Sequence, residues 1–416
     1  MAAGAANAVR DGQTALALRL ARRLAPSPSD AAARAGNVAV SPVAVHAALA
    51  LVAAGARGAT RDQLLGFLGA PSAADLDAFV ARLVGRLLDG RCGFDGLRVF
   101  GGGGVWADAS LGDLTGAFRH AAAGYYRFDA RAVSFTEEPE AAAAMINQWV
   151  KKTTKNLIDG IISTGDIDVG ASTSVVVASA VSFMGEWRHP FRPDDTWPGT
   201  FHRLDGGNAK ASFMWMLASL DVACLDGFKV LRLPYKGGMW MSRWNLMDNT
   251  RFSMLVFLPD ARDGVAAMAD AVTAAPASLR GVLAQMTEKT VNLKLPKFEI
   301  AFGWDGLEGD LRRLGLSLPF SPEAAELGGM CEGGDDGDDG GSPPRRAFLS
   351  KVAHKAVVKV NETGSEVKAK DIPWSGRRFP EEDMVDFFAD HPFSFLIMEE
   401  PTGLIVFAGH VVDPSK

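Results

Sequence analysis

The 416-residue chain lacks several features that identify common classes of protein. Its three cysteines, Cys92, Cys224 and Cys331, are widely spaced and odd in number, which predicts neither a disulfide framework nor a metal-binding or redox motif. Positive charge is not in surplus, because the formal net charge is −6. A general nucleic-acid-binding protein is therefore not expected, since such proteins need clustered Lys and Arg to neutralise phosphates.

Long hydrophobic runs are also missing, so no membrane span is predicted. Near the start of the chain, where a signal peptide would have an apolar core, Arg10, Arg19, Arg22 and Arg23 indicate an amphipathic helix instead. We therefore expect an intracellular protein, in the cytoplasm or the nucleus. Export by an unconventional route is the alternative.

Motifs for catalysis do not occur either. There is no Gly-x-Ser-x-Gly elbow, no His-Glu-x-x-His pair and no Walker loop, and the seven histidines are scattered without a matching Cys or Asp. The four glycines at 101–104 are followed by no Lys-Ser/Thr, so we expect a strand that bends there or lies close to other backbone. The sequence predicts a protein that is not an enzyme and that binds no metal or cofactor.

The composition is that of a globular chain, with 48% hydrophobic and 22% charged residues. Apolar periodicity predicts helices early and strands late, with no clean break between them. The predicted helices are 13–24, 42–54, 60–68, 75–88 and 140–155, and the predicted strands include 37–40, 97–107, 174–183, 229–233, 252–258, 291–295, 356–360, 393–397 and 404–412. This order favours one α+β domain over 1–416. An acidic, low-complexity loop is expected at 331–346.

One polar segment stands out between two strand-like stretches near the C-terminus. It runs from 368 to 383 and contains Pro373, Trp374, the dibasic step Arg377-Arg378 and Pro380. Proteases with an acidic specificity pocket cleave after such residues, so Arg377 or Arg378 is a candidate cleavage point. From these residues alone, a merely exposed and protease-sensitive loop remains the alternative.

Motifs along the whole chain resemble those of the serpin family, and most closely its plant members. The matching motifs, in chain order, are Asn37-Val-Ala-Val-Ser41-Pro42, Gly58-Ala59-Thr60, Thr154-Lys-Asn-Leu157-Ile158, Phe183-Met-Gly185-Glu-Trp187, Leu233-Pro-Tyr235, Phe257-Leu-Pro259, Leu295-Pro-Lys-Phe298, Ala389-Asp-His-Pro-Phe393 and Gly403 to Pro414. The resemblance implies a serpin fold with three β-sheets, about nine helices and an exposed reactive-centre loop.

The resemblance also implies a mechanism. A protease cuts the loop, the loop inserts as a new strand in a large sheet, and the attached enzyme is distorted. The implied partners are serine or cysteine proteases that prefer Arg, and the protein is expected to act as a monomer without nucleic acid or membrane.

The residues that the resemblance implicates fall into three groups. The hinge and reactive-centre loop span 362–383, and the hinge residues are Glu362, Gly364, Ser365, Glu366, Val367, Lys368, Ala369 and Lys370. The scissile bond is placed at Arg378-Phe379; counting back from Asp386-Phe387 gives a bond up to about two residues earlier, close to Arg377. The sheet-opening region contains Ser41, Ser179 and His354.

Several departures from the family pattern predict weak or absent inhibition. Asp371 and Pro373 stand where inhibitory serpins have small residues, and either change should slow insertion. Ala44 and Ser179 replace a serine and an asparagine, so we expect fewer hydrogen-bond partners for His354. The alternative is a working suicide inhibitor of trypsin-like serine or Arg-specific cysteine endopeptidases. An enzyme or small-ligand carrier on the same scaffold is a third possibility.

Overall fold

The computed structural model describes residues 3–26, 36–87, 97–167, 173–236, 251–333, 346–365 and 384–416. Nine α-helices lie in these residues, matching the number predicted. They are α1 (Ala3–Leu24), α2 (Pro42–Gly55), α3 (Gly58–Leu68), α4 (Ala73–Leu87), α5 (Gly116–Ala121), α6 (Pro139–Thr153), α7 (Val265–Thr273), α8 (Pro276–Leu283) and α9 (Leu307–Arg313).

Fifteen strands lie in the same residues. They are β1 (Val38–Val40), β2 (Leu97–Asp108), β3 (Asp129–Val133), β4 (Val175–Glu186), β5 (Thr196–His202), β6 (Asn208–Leu225), β7 (Phe228–Pro234), β8 (Phe252–Pro259), β9 (Thr287–Pro296), β10 (Phe298–Gly303), β11 (Leu349–Asn361), β12 (Gly364–Ser365), β13 (Met384–Phe388), β14 (Phe393–Glu399) and β15 (Leu404–Val411).

The smaller sheet has six strands in the order β10-β11-β12-β4-β2-β3, with a further pairing between β11 and β4. Its centre is covered on both faces. On β4, Val177 and Val181 belong to the main core, whereas Val176 and Ala180 belong to a second core formed with α6. This explains the almost wholly apolar sequence of β4, which alternation alone would not produce.

The larger sheet joins the other nine strands into one hydrogen-bonded network, in the order β1-β15-β14-β8-β7-β6-β9-β13, with β5 paired to β6. The long strand β6 links its two parts. Its N-terminal half pairs with β5, its last residues pair with β7, and β9 pairs along its middle. We expected three β-sheets. The described strands form two hydrogen-bonded sheets, because β6 joins the two parts of the larger one.

Helix α2 lies under the smaller sheet and is buried along nearly its whole length. Pro42 occupies its first turn, where backbone N–H groups have no partner within the helix, so the N–H that proline lacks costs no hydrogen bond. In the described residues no single helix is both long and apolar enough to cross a bilayer; only α3 together with Ala73–Leu83 meets that length and composition, and this pair is bent by 50°.

The four glycines at 101–104 lie inside β2, which continues through them without interruption. A Cβ atom on Gly103 would lie 1.9 Å from the ring of Phe128. The strand therefore does not end at these glycines as expected. The expected close approach to other backbone is confirmed at Gly101, where a Cβ atom would lie 2.4 Å from the Ala180 carbonyl oxygen.

Candidate functional site at the hinge and the strand seam

The first residues after the turn at the end of β11 form a strand in the smaller sheet. Gly364 and Ser365 make up β12, which pairs antiparallel with the end of β11 and also with the end of β4. Beyond β12, β11 and β4 pair directly with each other over 349–358 and 175–183. We call this direct pairing the seam; a longer inserted strand would have to open it.

The turn that leads into β12 is held by side chains from its own residues and from the sheet. Asn361 Oδ1 accepts hydrogen bonds from the Thr363 N–H at 3.0 Å, from the Thr363 hydroxyl at 2.9 Å and from the Gly364 N–H at 3.2 Å. The indole N–H of Trp187 donates to the Asn361 carbonyl at 3.0 Å. The turn reverses the chain, and these bonds give partners to its Thr363 and Gly364 N–H groups and to its Asn361 carbonyl oxygen.

Glu362 ties this turn to strand β5 and to the connection between β9 and β10. Its Oε1 accepts from Lys297 Nζ at 3.0 Å and from the Thr196 hydroxyl at 3.1 Å. Partial burial acts to raise the pKa of Glu362, but hydrogen bonds from its own backbone, Lys297 and Thr196 outweigh it and hold the pKa below its usual range. The Glu362 side chain is therefore an ionised carboxylate at neutral pH, and its bonds to Lys297 and Thr196 hold the turn in place.

Only glycine fits at position 364. Its φ is +147°, and a Cβ atom there would lie 1.9 Å from the carbonyl oxygen of Gly185. The next residue, Ser365, is completely buried, and its hydroxyl lies 3.0 Å from the Tyr235 hydroxyl. The Tyr235 ring stacks on Trp187 with centroids 4.5 Å apart. Ser365 therefore faces the core side of the sheet.

His354 lies in the seam and has a partner on each ring nitrogen. The Ser41 backbone N–H donates to Nε2 at 2.9 Å, so the neutral ring carries its proton on Nδ1, which lies 2.8 Å from the Ser179 hydroxyl oxygen. Complete burial lowers the pKa of His354 to about 3, so the ring is neutral at physiological pH. The expectation that its partners are thinned is wrong, because Ser179 supplies one of them.

The predicted site residues divide into two groups. One group lies along the seam and at the end of it next to β12: Ser41, Ser179, His354, Glu362, Gly364 and Ser365. The others lie outside the described residues: Glu366, Val367, Lys368, Ala369, Lys370, Arg377, Arg378 and Phe379. Most of the acidic segment 331–346 also lies outside them.

Sequence reasoning missed three side chains that hold the hinge. Lys297 and Thr196 bind Glu362, and Tyr235 contacts Ser365. Tyr235 and Lys297 belong to motifs that carry the family resemblance, so their positions were marked although their roles were not. Thr196 gave no signal in the sequence.

Two buried serine–histidine pairs have distances that suit a nucleophile and its base. Ser179 and His354 form one, and Ser394 and His410 form the other at 2.7 Å. All four residues are at least nine-tenths buried, so a substrate has no access to them. Both pairs are structural.

The chain was compared with known proteins. A family model described as Serpin (serine protease inhibitor) matches residues 11–414. A putative serpin-Z5 of Oryza sativa subsp. japonica is 44% identical, with 97% of this chain and 90% of that protein covered. Serpin-Z2A of the same organism is 38% identical, with 97% of each chain covered. The Arabidopsis protein AtSerpin1, solved in its native stressed conformation, superposes with a TM-score of 0.82 at 31% identity, with 98% and 99% of the two chains covered.

The fold is thus shared with the solved Arabidopsis protein. The chain belongs to the serpin family, and among its relatives are the serpin-Z proteins of plants. Members of this family are in general inhibitors that target proteases rather than catalysts.

Proposed function

We propose that this serpin offers Arg378 to trypsin-like serine proteases or Arg-specific cysteine proteases, and that it is cut more readily than it traps. The bond offered is Arg378-Phe379, or one up to about two residues earlier, next to Arg377. The outcome depends on how fast residues 366–373 enter the seam after cleavage.

The observation that carries this proposal is the buried orientation of Ser365. Side chains alternate across a strand, so a strand continuing from Ser365 turns Val367, Ala369 and Asp371 to the core face. The substituted lysines, Lys368 and Lys370, turn to the opposite face.

Two of the substitutions oppose insertion. Burying the carboxyl group of Asp371 without a full set of partners costs about 1–3 kcal/mol. Pro373 has no N–H and removes one ladder hydrogen bond, worth about 0.5–1.5 kcal/mol. Each such penalty, if felt in the transition state, slows insertion about tenfold per 1.4 kcal/mol, which favours hydrolysis of the acyl-enzyme.

The alternative function is efficient covalent trapping of the same proteases. The inserted pair Gly364–Ser365 favours it, because the nucleus of the new strand exists before cleavage. A strand that has already begun needs only to extend.

Incubation with trypsin separates the two functions. We expect a nicked chain with the new end beside Arg377 or Arg378, recovered active trypsin and little adduct on a denaturing gel. A trypsin adduct of about the summed mass, formed in high yield, would show efficient trapping instead. The variant Arg378→Ala serves as the control that assigns the cut to the bait residue.

A further inference from the structure

Four of the seven histidines are buried, namely His46, His354, His391 and His410. Burial lowers the pKa of His46 and His410 to about 4 and that of His354 to about 3, so these three rings are neutral at physiological pH. Two of them also have a group that can donate to a ring nitrogen. It is the Ser41 N–H for His354 and the Ser394 hydroxyl for His410. The surroundings of both rings therefore suit an uncharged imidazole.

His391 differs from these three because both of its ring nitrogens face oxygen atoms that only accept. Nε2 lies 2.7 Å from the carbonyl oxygen of Pro259, and Nδ1 lies 3.1 Å from Oδ1 of Asp390. Burial acts to raise the pKa of Asp390, but the hydrogen bond from His391 and the charges of Lys294 and His391 outweigh it and hold the pKa below its usual range. Asp390 is therefore an ionised acceptor. A neutral imidazole has one N–H, so only the doubly protonated ring makes both bonds.

The pair Asp390–His391 connects the chain just after β13 to three other strands of the larger sheet. His391 Nε2 bonds the carbonyl oxygen of Pro259, the last residue of β8. The Asp390 carbonyl oxygen accepts from the backbone N–H of His202, the last residue of β5, at 2.8 Å. The side chain of Asp390 reaches β9, where its Oδ2 lies 3.5 Å from Lys294 Nζ. These contacts hold the C-terminal end of β13 in place.

β13 depends on this attachment because it lies at the edge of the sheet. Among the described strands it pairs with β9 alone, over the five residues Met384–Phe388. The Ala389 N–H adds one more bond, to the Lys294 carbonyl oxygen at 2.8 Å. A short edge strand with a single partner opens more easily than a central strand, so the way its end is held affects how often it opens.

We propose that His391 is a protonation-dependent switch: the imidazolium bonds both Pro259 and Asp390 and secures the end of β13, and loss of its proton breaks the Asp390 bond and lets β13 open more often. The neutral ring keeps its proton on Nε2, whose contact is the shorter one, and its bare Nδ1 then faces a carboxylate oxygen that cannot donate to it. The attachment is therefore complete in mild acid and weakens as the pH rises through the range in which histidines titrate, about pH 5 to 8.

The charged and titratable groups on the elements around His391 have partners of their own. They are Lys294 on β9, 3.5 Å from Asp390 Oδ2; Asp260 after β8 and Lys229 on β7, 3.3 Å apart; and His202 on β5, whose Nδ1 lies 2.9 Å from Asn208 Oδ1. Asp390, in direct contact with the ring, favours the imidazolium, whereas Lys294 opposes it but is paired with Asp390 itself. The nearest charge to His391 among these groups is therefore the one that favours a proton on Nδ1.

Two measurements on the full chain test the switch over about pH 5 to 8. Nitrogen-15 NMR of the histidine side chains reports whether the His391 ring carries one N–H or two, and its signal is assigned from its loss in His391→Gln or its displacement in Asp390→Asn. Hydrogen exchange of the amides in Met384–Phe388, corrected for the pH dependence of the chemical exchange step, reports the opening of β13. β3, an edge strand of the smaller sheet, is the internal reference.

In wild type we expect two N–H groups on the His391 ring at about pH 5 and one, on Nε2, at about pH 8. Over the same range the protection of β13 should fall by up to about tenfold while that of β3 stays level. His391→Gln keeps a donor for the Pro259 oxygen but cannot titrate, so its β13 protection should not change with pH. The control is His202→Gln, which removes a histidine whose backbone also bonds Asp390 but whose ring bonds Asn208; it should behave as wild type.

A His391 ring that stays neutral down to about pH 5, or one that stays charged up to about pH 8, overturns the inference. Equal pH profiles of β13 protection in wild type and His391→Gln overturn it as well. If His391→Gln does not fold, the wild-type NMR titration and the comparison of β13 with β3 decide the question. These outcomes are the same whether the protein traps a protease or is merely cut by it, so a failure here is separate from a failure of the proposed function.

Discussion

At the scale of single residues, Gly364 is a position where the structure leaves no room for a side chain. Replacing it with Ala would force a Cβ atom against the Gly185 carbonyl oxygen at a φ of +147°. We expect β12 to leave the sheet in Gly364→Ala, with a loss of about 1–3 kcal/mol in the free energy of unfolding and faster cleavage of the loop. Urea unfolding and timed trypsin digestion measure the two effects.

A matched glycine in the same sheet provides the control for this substitution. Gly303 ends β10 with no atom within 4 Å of its would-be Cβ position. Gly303→Ala should leave both the digestion rate and the unfolding curve close to wild type. If Gly364→Ala also behaved as wild type, the inserted position of β12 would be wrong.

Tyr235 shows how a single hydroxyl can connect the loop to the core. It is completely buried, burial raises its pKa above the usual range, and its hydroxyl contacts Ser365 while its ring packs between Phe183 and Trp187. Because Tyr235 and Ser365 are far apart in sequence, no local pattern could reveal this contact. The resemblance marked Tyr235 without assigning it a role.

At the scale of elements, Glu362 fastens the turn before β12 to β5 through Thr196 and to the β9–β10 connection through Lys297. Since the pKa of Glu362 is depressed in the folded protein, its stabilising effect is complete above its unfolded pKa, near ~4.3, and is lost as the pH falls through the folded value. Glu362→Gln should therefore lower the free energy of unfolding by up to about 1 kcal/mol above pH ~5 and by less in acid.

Urea unfolding of wild type and Glu362→Gln at several pH values measures this difference. Glu299→Gln is the control, because Glu299 pairs with Lys359 on the same sheet but is more than half exposed. If the difference in the free energy of unfolding between wild type and Glu362→Gln stayed constant down to pH ~3, the stabilising effect would not come from the ionised carboxylate.

Most long helices and buried strands could be predicted from the sequence, while three strands of the larger sheet, β5, β6 and β13, were not. α2, α3, α4 and α6 begin and end within about two residues of the predicted bounds, because each has strong periodicity and clear end signals. β5 contains Pro198 and Gly199, which argue against a strand; it is tolerated because β5 pairs with β6 alone.

The candidate site was predictable only where a motif carried it. His354 and Ser41 were identified through the resemblance, but Ser179 was expected to weaken the site and instead hydrogen-bonds His354. A serine hydroxyl reaches the imidazole here because His354 and Ser179 are direct partners across the seam. That register is a property of the folded sheet and could not be inferred from the spacing of residues.

At the scale of the whole molecule, the proposed function depends on the relative rates of two processes. Hydrolysis would free the protease, whereas opening of the seam between β11 and β4 would allow the loop to insert and the protease to be distorted. In the proposed insertion, Asp371 and Pro373 would enter the same part of the seam if the strand continued from Ser365 in the register of β12. Under the proposed function, both obstacles would therefore act late, after Val367 and Ala369.

Removing both obstacles should convert a substrate into an inhibitor. In the double variant Asp371→Ala with Pro373→Ala, we expect the yield of denaturant-resistant trypsin adduct at neutral pH to rise at least about tenfold, because relief of about 1.4 kcal/mol in the insertion barrier has that effect on the rate. The matched control is Lys368→Ala with Lys370→Ala, two substitutions on the opposite face that should change the yield little. If the lysine variant gained as much adduct as the first, the limiting step would be entry of the charged segment rather than burial on the core face, and the alternation set by Ser365 would not govern trapping.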